Sequence, residues 1–266
     1  MVRTAWQHDR HIGVKLITVF PGNPNVRETL PAVQAVVVLF DGQTGSPTAF
    51  IDGTALTYRK TAADSALGSR FLCRDDAATM LMVGAGGLAP YLVQAHLTVR
   101  PSINTVLVWN RTPKRAIALT RRLSDIGIHA EIASDLEIAA RSSDLICCAT
   151  SSPQPLICGA WLQPGTHLDL VGAYTAEVRE ADDDVFRRGS LFVDARSTTV
   201  GVLGELMIPI ANGVISPTDV IADLFELARD KHPGRCHLPE ITVFKNGGGG
   251  HLDLMTARFL LERSQQ

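Results

Sequence analysis

Aromatic residues make up only 6% of this 266-residue chain, and cysteines number five. Cys73, Cys147, Cys148, Cys158 and Cys236 are odd in number and include no C-x-x-C pair. That excludes a fully paired disulfide framework and predicts reduced thiols in a cytoplasmic protein. Neither sign of charge dominates. The formal net charge is −2, so the balance supplies no pull towards nucleic acid or an anionic membrane. No apolar run reaches the length of a membrane span, and the opening MVRTAWQHDRH has no apolar signal core. The eight histidines lack H-E-x-x-H or similar spacing, and no metal is expected. Internal repeats and low-complexity linkers are missing too. What remains, 45% hydrophobic and 20% charged, is the composition of a globular chain with ample length for a core.

The informative stretch is Thr79–Thr112. Leu81, Met82 and Val83 form a short apolar run, as in a strand buried on both faces. Gly84-Ala85-Gly86 follows at once, then Gly87, Leu88 and Ala89. The spacing G-x-G-x-x-A is a dinucleotide-binding fingerprint. Gly84 allows a sharp turn, Gly86 lets backbone N–H groups reach a pyrophosphate, and Ala89 lets helix and strand pack closely. A helix over 88–99 then points its partly positive N-terminus at the diphosphate.

A second strand, Thr105–Trp109, ends at Asn110, where an acid would bind a ribose diol and repel a 2′-phosphate. Asn110 is neutral, and Arg111, Thr112, Lys114 and Arg115 follow. That cluster predicts NADP(H), with NADH bound more weakly. Each charge-assisted hydrogen bond contributes roughly 1.5–3 kcal/mol. Two give a preference on the order of 100-fold. The competing reading is a structural glycine turn with solvated cations.

In chain order, the pattern predicts strands over Gly13–Phe20, Ala32–Phe40 and Thr48–Ile51, a turn at Pro21–Pro24, a hairpin connection at Asp41–Gly45, and a helix from about Thr61 to Leu72. Beyond the fingerprint it predicts a helix over Pro113–Ile126 with Thr112 as N-cap. A short strand at Ala130–Ala133 and a short helix at Leu136–Arg141 come next. The strand Asp144–Cys148 runs into Ala149-Thr150-Ser151-Ser152, small polar residues suited to the nicotinamide side. Strands at His167–Val171 and Leu191–Asp194, a helix at Val220–Arg229, a strand at Glu240–Phe244 and a last helix from about Leu252 to Arg263 complete the series. Alternating strands and helices predict an α/β fold with a Rossmann-type, doubly wound parallel sheet.

Several stretches together carry a family likeness: GVKLITVFPGNP at 13–24, ALTYRKTAADSAL at 55–67, VGAGGLA at 83–89, HLDLVGAY at 167–174, LFVDAR at 191–196, GEL at 204–206 and EITVFKNGGGGHLDLMTA at 240–257. Over nearly its whole length the chain resembles the ornithine cyclodeaminase/mu-crystallin family. Within it the phrases WNRTPKRA, THLDLVGAYTAEVREADDD and FKNGGGGHLDLM are most similar to bacterial Δ1-pyrroline-2-carboxylate reductases. The resemblance implies a homodimer. It implies an NADP-binding Rossmann domain over residues 63–246, and a smaller α+β substrate and dimerisation domain from residues 1–62 and 247–266. The implied activity is NADPH-dependent reduction of a cyclic imino acid, Δ1-pyrroline-2-carboxylate to L-proline, with Δ1-piperideine-2-carboxylate to L-pipecolate as a second reaction. Alternatives are ornithine cyclodeaminase or alanine dehydrogenase-like activity, or NADPH binding without turnover.

Two departures separate these branches. Cyclodeaminases carry a catalytic aspartate where this chain has Tyr174, whose pKa of about 10 disqualifies it as a carboxylate base. The family's R-T-A-A reads Lys60-Thr61-Ala62-Ala63 here. The resemblance therefore gives Lys60 the contact to substrate carboxylate or cofactor phosphate, with Thr61 beside it. Lysine keeps the charge but loses the bidentate fork. The family pattern also carries a segment ahead of Thr4-Ala5-Trp6, with an arginine for the carboxylate and elements for the dimer. A start assigned too late, or a shortened relative, is expected.

For such a reaction Lys15 is the candidate catalytic and substrate-binding residue. A lone lysine among Gly13, Val14, Leu16 and Ile17 is costly unless it is paired or wetted by a cleft. It suits holding the carboxylate or donating a proton to the imine nitrogen. Asp253 reads either as a helix-start acid or as a contact near the nicotinamide. Asp182–Asp184 read as a solvated helix face, and His167 as a structural histidine.

Overall fold

The computed structural model describes residues 1–20, 22–27 and 30–264; Pro21, the first residue of the turn at 21–24, lies outside them. The chain divides into two compact units, Met1–Thr61 with Gly248–Gln266, and Ala62–Gly247.

The first unit opens with β1 (Val2–Gln7) and β2 (His11–Val19), followed by α1 (Asn23–Val26), β3 (Val33–Asp41) and β4 (Pro47–Asp52). The strands form an antiparallel sheet in the order β1-β2-β3-β4. Its strand β1 was not expected. VRTAWQ exposes most of its residues, and its strand state rests on pairing with β2. The helix expected from Thr61 begins at Gly53 instead, as α2 (Gly53–Leu72), and the division between units falls within it. Asp52 explains the early start. Its carboxylate accepts from the N–H groups of Thr54 and Ala55 at 2.8 and 3.1 Å, capping the first turn.

The second unit follows the fingerprint. Its elements are β5 (Thr79–Val83), α3 (Ala89–Val99), β6 (Thr105–Trp109), α4 (Pro113–Ser124), β7 (Glu131–Ile132), α5 (Leu136–Arg141), β8 (Leu145–Cys148), β9 (His167–Leu170), α6 (Asp183–Arg188), β10 (Ser190–Val193), α7 (Arg196–Thr199), α8 (Gly204–Ala211), β11 (Val220–Asp223), α9 (Leu224–Leu227) and β12 (Thr242–Lys245). Eight parallel strands are ordered β11-β10-β12-β9-β8-β5-β6-β7. Strand residues alternate between two cores. Leu81, Val83, Ile146 and Cys148 enter one, and Met80, Met82, Leu145 and Cys147 the other. This is the Rossmann-type arrangement that the continuous apolar runs predict.

The helix expected at Val220–Arg229 is a correction. Val220–Asp223 is a strand pairing parallel to β10, and only Leu224–Leu227 is helical. Asp223 and Glu226 form a capping box, so helix can only begin after Asp223. Thr112 stands at the N-cap position of α4, but its side chain makes no capping hydrogen bond. Asp182 caps α6, accepting from the N–H groups of Asp184 and Val185, both at 3.1 Å.

The chain then returns to the first unit as α10 (Gly250–Ser264). Leu254 and Ala257 of α10 join Val37, Leu39 and Leu56 in that unit's core. No helix among the described residues is long and apolar enough to cross a membrane.

Candidate dinucleotide cleft and buried basic cluster

At the end of β5 the chain turns through Gly84, whose φ of +107° favours glycine. A Cβ there would lie 2.5 Å from the Ala149 carbonyl oxygen. The turn is tied to the next strand: Gly84 N–H donates to the Trp109 carbonyl at 2.9 Å, and Ala85 N–H donates to Asn110 Oδ1 at 3.2 Å. Asn110 Nδ2 donates in turn to the Thr112 carbonyl at 3.0 Å. Asn110 therefore shapes the cleft as well as being a neutral strand tip. Beside Gly86 nothing lies within 4 Å of a Cβ position, which leaves the backbone open to a ligand.

The cleft formed here is lined by Gly84, Ala85, Gly86, Asn110, Arg111, Thr112, Arg115, Ala149 and Thr150 from the expected set. Gly87, Leu88, Ala89 and Lys114 do not line it, and Lys60 and Thr61 belong to the first unit. Sequence reasoning did not name Trp109 and Leu156 as lining residues. The side chains of Arg111 and Arg115 are exposed and have no hydrogen-bond or ion-pair partner among the described residues. An open glycine turn and two uncommitted guanidiniums fit a phosphorylated dinucleotide.

The loops after β8 and β9 share a buried carboxylate. Glu180 Oε1 accepts from Thr150 N–H at 2.6 Å and Thr150 Oγ1 at 2.8 Å, while Oε2 accepts from Gly172 N–H at 2.5 Å. Glu205 accepts from the N–H groups of Glu180 and Ala181 at 2.9 and 3.0 Å. Burial pushes Glu205 up to about 7 and raises Glu180 as well, with Lys245 pulling both down. Sequence reasoning missed this network. An acid in a loop carries no local signal of its partners.

Beneath the sheet, His96 Nε2 lies 3.1 Å from Asp169 Oδ2, which also accepts from Cys147 Sγ at 3.1 Å. Ser69 Oγ meets His96 Nδ1 at 2.9 Å, and Ser65 Oγ donates to Asp169 Oδ1 at 3.1 Å. His96, Cys147 and Asp169 are within metal-ligating reach of each other, but their ligand atoms are already tied by these hydrogen bonds. His167 Nδ1 meets Thr242 Oγ1 at 2.9 Å, whereas its Nε2 is buried without a partner. Burial pushes His167 down to about 3.

In the first unit, Lys15 is 2% exposed and its Nζ donates to Asp253 Oδ1 at 2.9 Å. Lys60 Nζ stands 3.9 Å from the same oxygen. Asp253 lies in the first turn of α10, as a helix-start acid should, but its stronger tie is this pair. Burial lowers the Lys15 pKa, and Asp253 counters it by charge and hydrogen bond. Arg3 was not singled out from sequence. It sits directly across the β1–β2 ladder from Lys15.

A glycine-turn nucleotide fold in the second unit and a buried lysine–aspartate pair in the first define a class, and comparison with known proteins names it. The model of the ornithine cyclodeaminase/mu-crystallin family matches residues 3–266, and the chain belongs to that family. Δ1-Pyrroline-2-carboxylate reductase of Paracoccus denitrificans is 47% identical over 262 residues, 98% of this chain and 82% of that protein. Among solved structures, Thermococcus litoralis Δ1-pyrroline-2-carboxylate reductase in complex with NADH and L-proline is 31% identical, with a TM-score of 0.90 covering 96% of this chain and 78% of that one. An archaeal alanine dehydrogenase dimer with bound NAD is 27% identical, with a TM-score of 0.91 over 99% of this chain and 80% of that one.

Proposed function

We propose that this chain reduces Δ1-pyrroline-2-carboxylate to L-proline, using NADPH in preference to NADH, and Δ1-piperideine-2-carboxylate to L-pipecolate as a second reaction. The coarser class, an oxidoreductase acting on C=N bonds, follows from the relatives' activity. The observation that carries the finer reading is the buried Lys15–Asp253 pair. A bound dihydronicotinamide supplies the hydride to the imine carbon. An imine accepts hydride readily only once its nitrogen is protonated, so a proton source must stand by. Lys15 is that source: its ammonium is held in place by Asp253, and burial eases loss of its proton. Lys60 supplies positive charge for the substrate carboxylate.

In the second unit, Gly84, Ala85 and Gly86 offer backbone to the pyrophosphate, and Asn110, Arg111, Thr112 and Arg115 meet the adenosine ribose and its 2′-phosphate. Thr150, held by Glu180, and Ala149 border the nicotinamide side. The preference for NADPH rests on the neutral Asn110 and the two uncommitted arginines. One methylene separates the two imines, a difference that pockets resolve poorly. A homodimer in which the first unit contributes the substrate domain completes the proposal, supported by the dimeric alanine dehydrogenase neighbour. The test incubates each imine with NADPH and follows loss of dihydronicotinamide absorbance and formation of the L-amino acid. Equimolar consumption and product are expected. Turnover with ornithine or alanine and none with either imine would redirect the assignment.

A further inference from the structure

We infer that Arg3 is a substrate-carboxylate ligand, completing with Lys60 an anion clamp beside Lys15. This rests on the imino-acid reading above. Arg3 and Lys15 are direct cross-strand partners in the β1–β2 ladder, and like charges directly opposite one another destabilise a sheet. Lys60 adds a third cation. The carboxylate bonded to this group among the described residues is Asp253, which serves Lys15 at 2.9 Å and Lys60 at 3.9 Å. One acid against three bases leaves positive charge that a bound anion would neutralise.

The geometry brings two of these cations to one place. Gly248, with φ of +67°, has no side chain, and the point its Cβ would occupy lies 2.8 Å from Lys60 Nζ and 3.3 Å from Arg3 Nη1. Both cations thus converge on the same glycine, whose lack of a side chain lets them approach. Arg3 makes no hydrogen bond or ion pair among the described residues, so its planar fork is available for bidentate carboxylate binding. The N-terminus of α10, starting at Gly250, adds partial positive charge nearby. Asp253 Oδ2 is an independent pointer to a ligand. It is buried and accepts nothing from the described residues, which leaves an acceptor open to a donor on a bound ligand. An imino acid brings both complements, a carboxylate for Arg3 and Lys60 and a nitrogen that, once Lys15 has protonated it, donates to Asp253. The cluster is therefore selective for α-imino carboxylates over imines without the α-carboxylate.

The test uses the full chain and pyrrole-2-carboxylate, an unreactive planar anion, titrated calorimetrically without turnover. Wild type, Arg3→Lys and Arg3→Gln are compared, with NADPH binding in the second unit as the control for folding. Arg3→Gln is expected to weaken the carboxylate by about 10- to 100-fold, Arg3→Lys to weaken it less, and both to bind NADPH as wild type does. Pyrrole-2-carboxamide should bind weakly to all three. In turnover, the imine KM should rise in Arg3→Gln more than kcat falls. Equal pyrrole-2-carboxylate affinity in wild type and Arg3→Gln, or none in wild type, overturns the clamp. Arg3-dependent binding without imine reduction supports the clamp and removes only the activity. Imine reduction with an Arg3-indifferent KM does the reverse.

Discussion

Lys15 Nζ and Asp253 Oδ1 lie 2.9 Å apart, although 238 positions separate the residues in sequence. Both are buried, so neither charge is tolerable without the other. In the proposed reaction Lys15 must carry a proton to give, so kcat/KM should be level at lower pH and fall as pH rises through the Lys15 pKa. That alkaline limb lies below the ordinary lysine value of 10.5, because burial disfavours the charged form. Asp253→Asn removes the charge and acceptor that hold the pKa up, so the limb should move to still lower pH. Lys15→Met should cut kcat by about 10²- to 10⁴-fold. A pH–rate profile of the three proteins checks both statements. An unmoved limb in Asp253→Asn would detach the pair from the proton step.

Arg111 lines the cleft with its guanidinium uncommitted. Arg111→Ala should weaken NADPH by about 10- to 100-fold and leave NADH nearly unchanged. Fluorescence titration with each cofactor measures the two affinities. Equal losses would place the 2′-phosphate elsewhere.

Glu180 bonds Thr150 and Gly172 together, and a Cβ on Gly172 would lie 2.1 Å from the Thr150 carbonyl oxygen, so the two loops touch. Glu180→Gln turns one acceptor into a donor facing an N–H group. The KM for NADPH should rise about tenfold or more, while kcat at saturating cofactor falls less. A uniform loss of kcat with unchanged KM would argue against a role in shaping the cofactor cleft.

His167 is held neutral, with its pKa pushed down to about 3 by burial. The unfolded chain takes up a proton near the ordinary value of 6.5 that the folded chain refuses, so stability falls as pH drops from about 6.5 towards 3. One such group contributes at most about 1.4 kcal/mol per pH unit. His167→Asn, which keeps a polar atom towards Thr242, should flatten that slope. Urea unfolding between pH 7 and 4 measures it, and equal slopes in the two proteins would contradict the assignment.

What the sequence disclosed was local. Leu81–Val83, Gly84 and the helix expected over 88–99 announce themselves by apolar run, glycine spacing and alanine, and the expected α5 matches the observed Leu136–Arg141. The helix expected from about Thr61 begins at Gly53 because Asp52 caps it there. Val220–Asp223 looked helical because its strand state depends on a neighbour far along the chain. The candidate site divides the same way. Lys15 stood out as a cation in an apolar run. Arg3 gains meaning only from cross-strand register, and Glu180 only from two loops meeting around it.

The most direct measurement follows the hydride itself. NADPH deuterated at its transferable position is incubated with Δ1-pyrroline-2-carboxylate and the enzyme, and the product is analysed by mass spectrometry. Deuterium on C2 of L-proline, in proportion to NADPH consumed, is the predicted result. Proline without deuterium, or no proline while NADPH binds, would contradict the account.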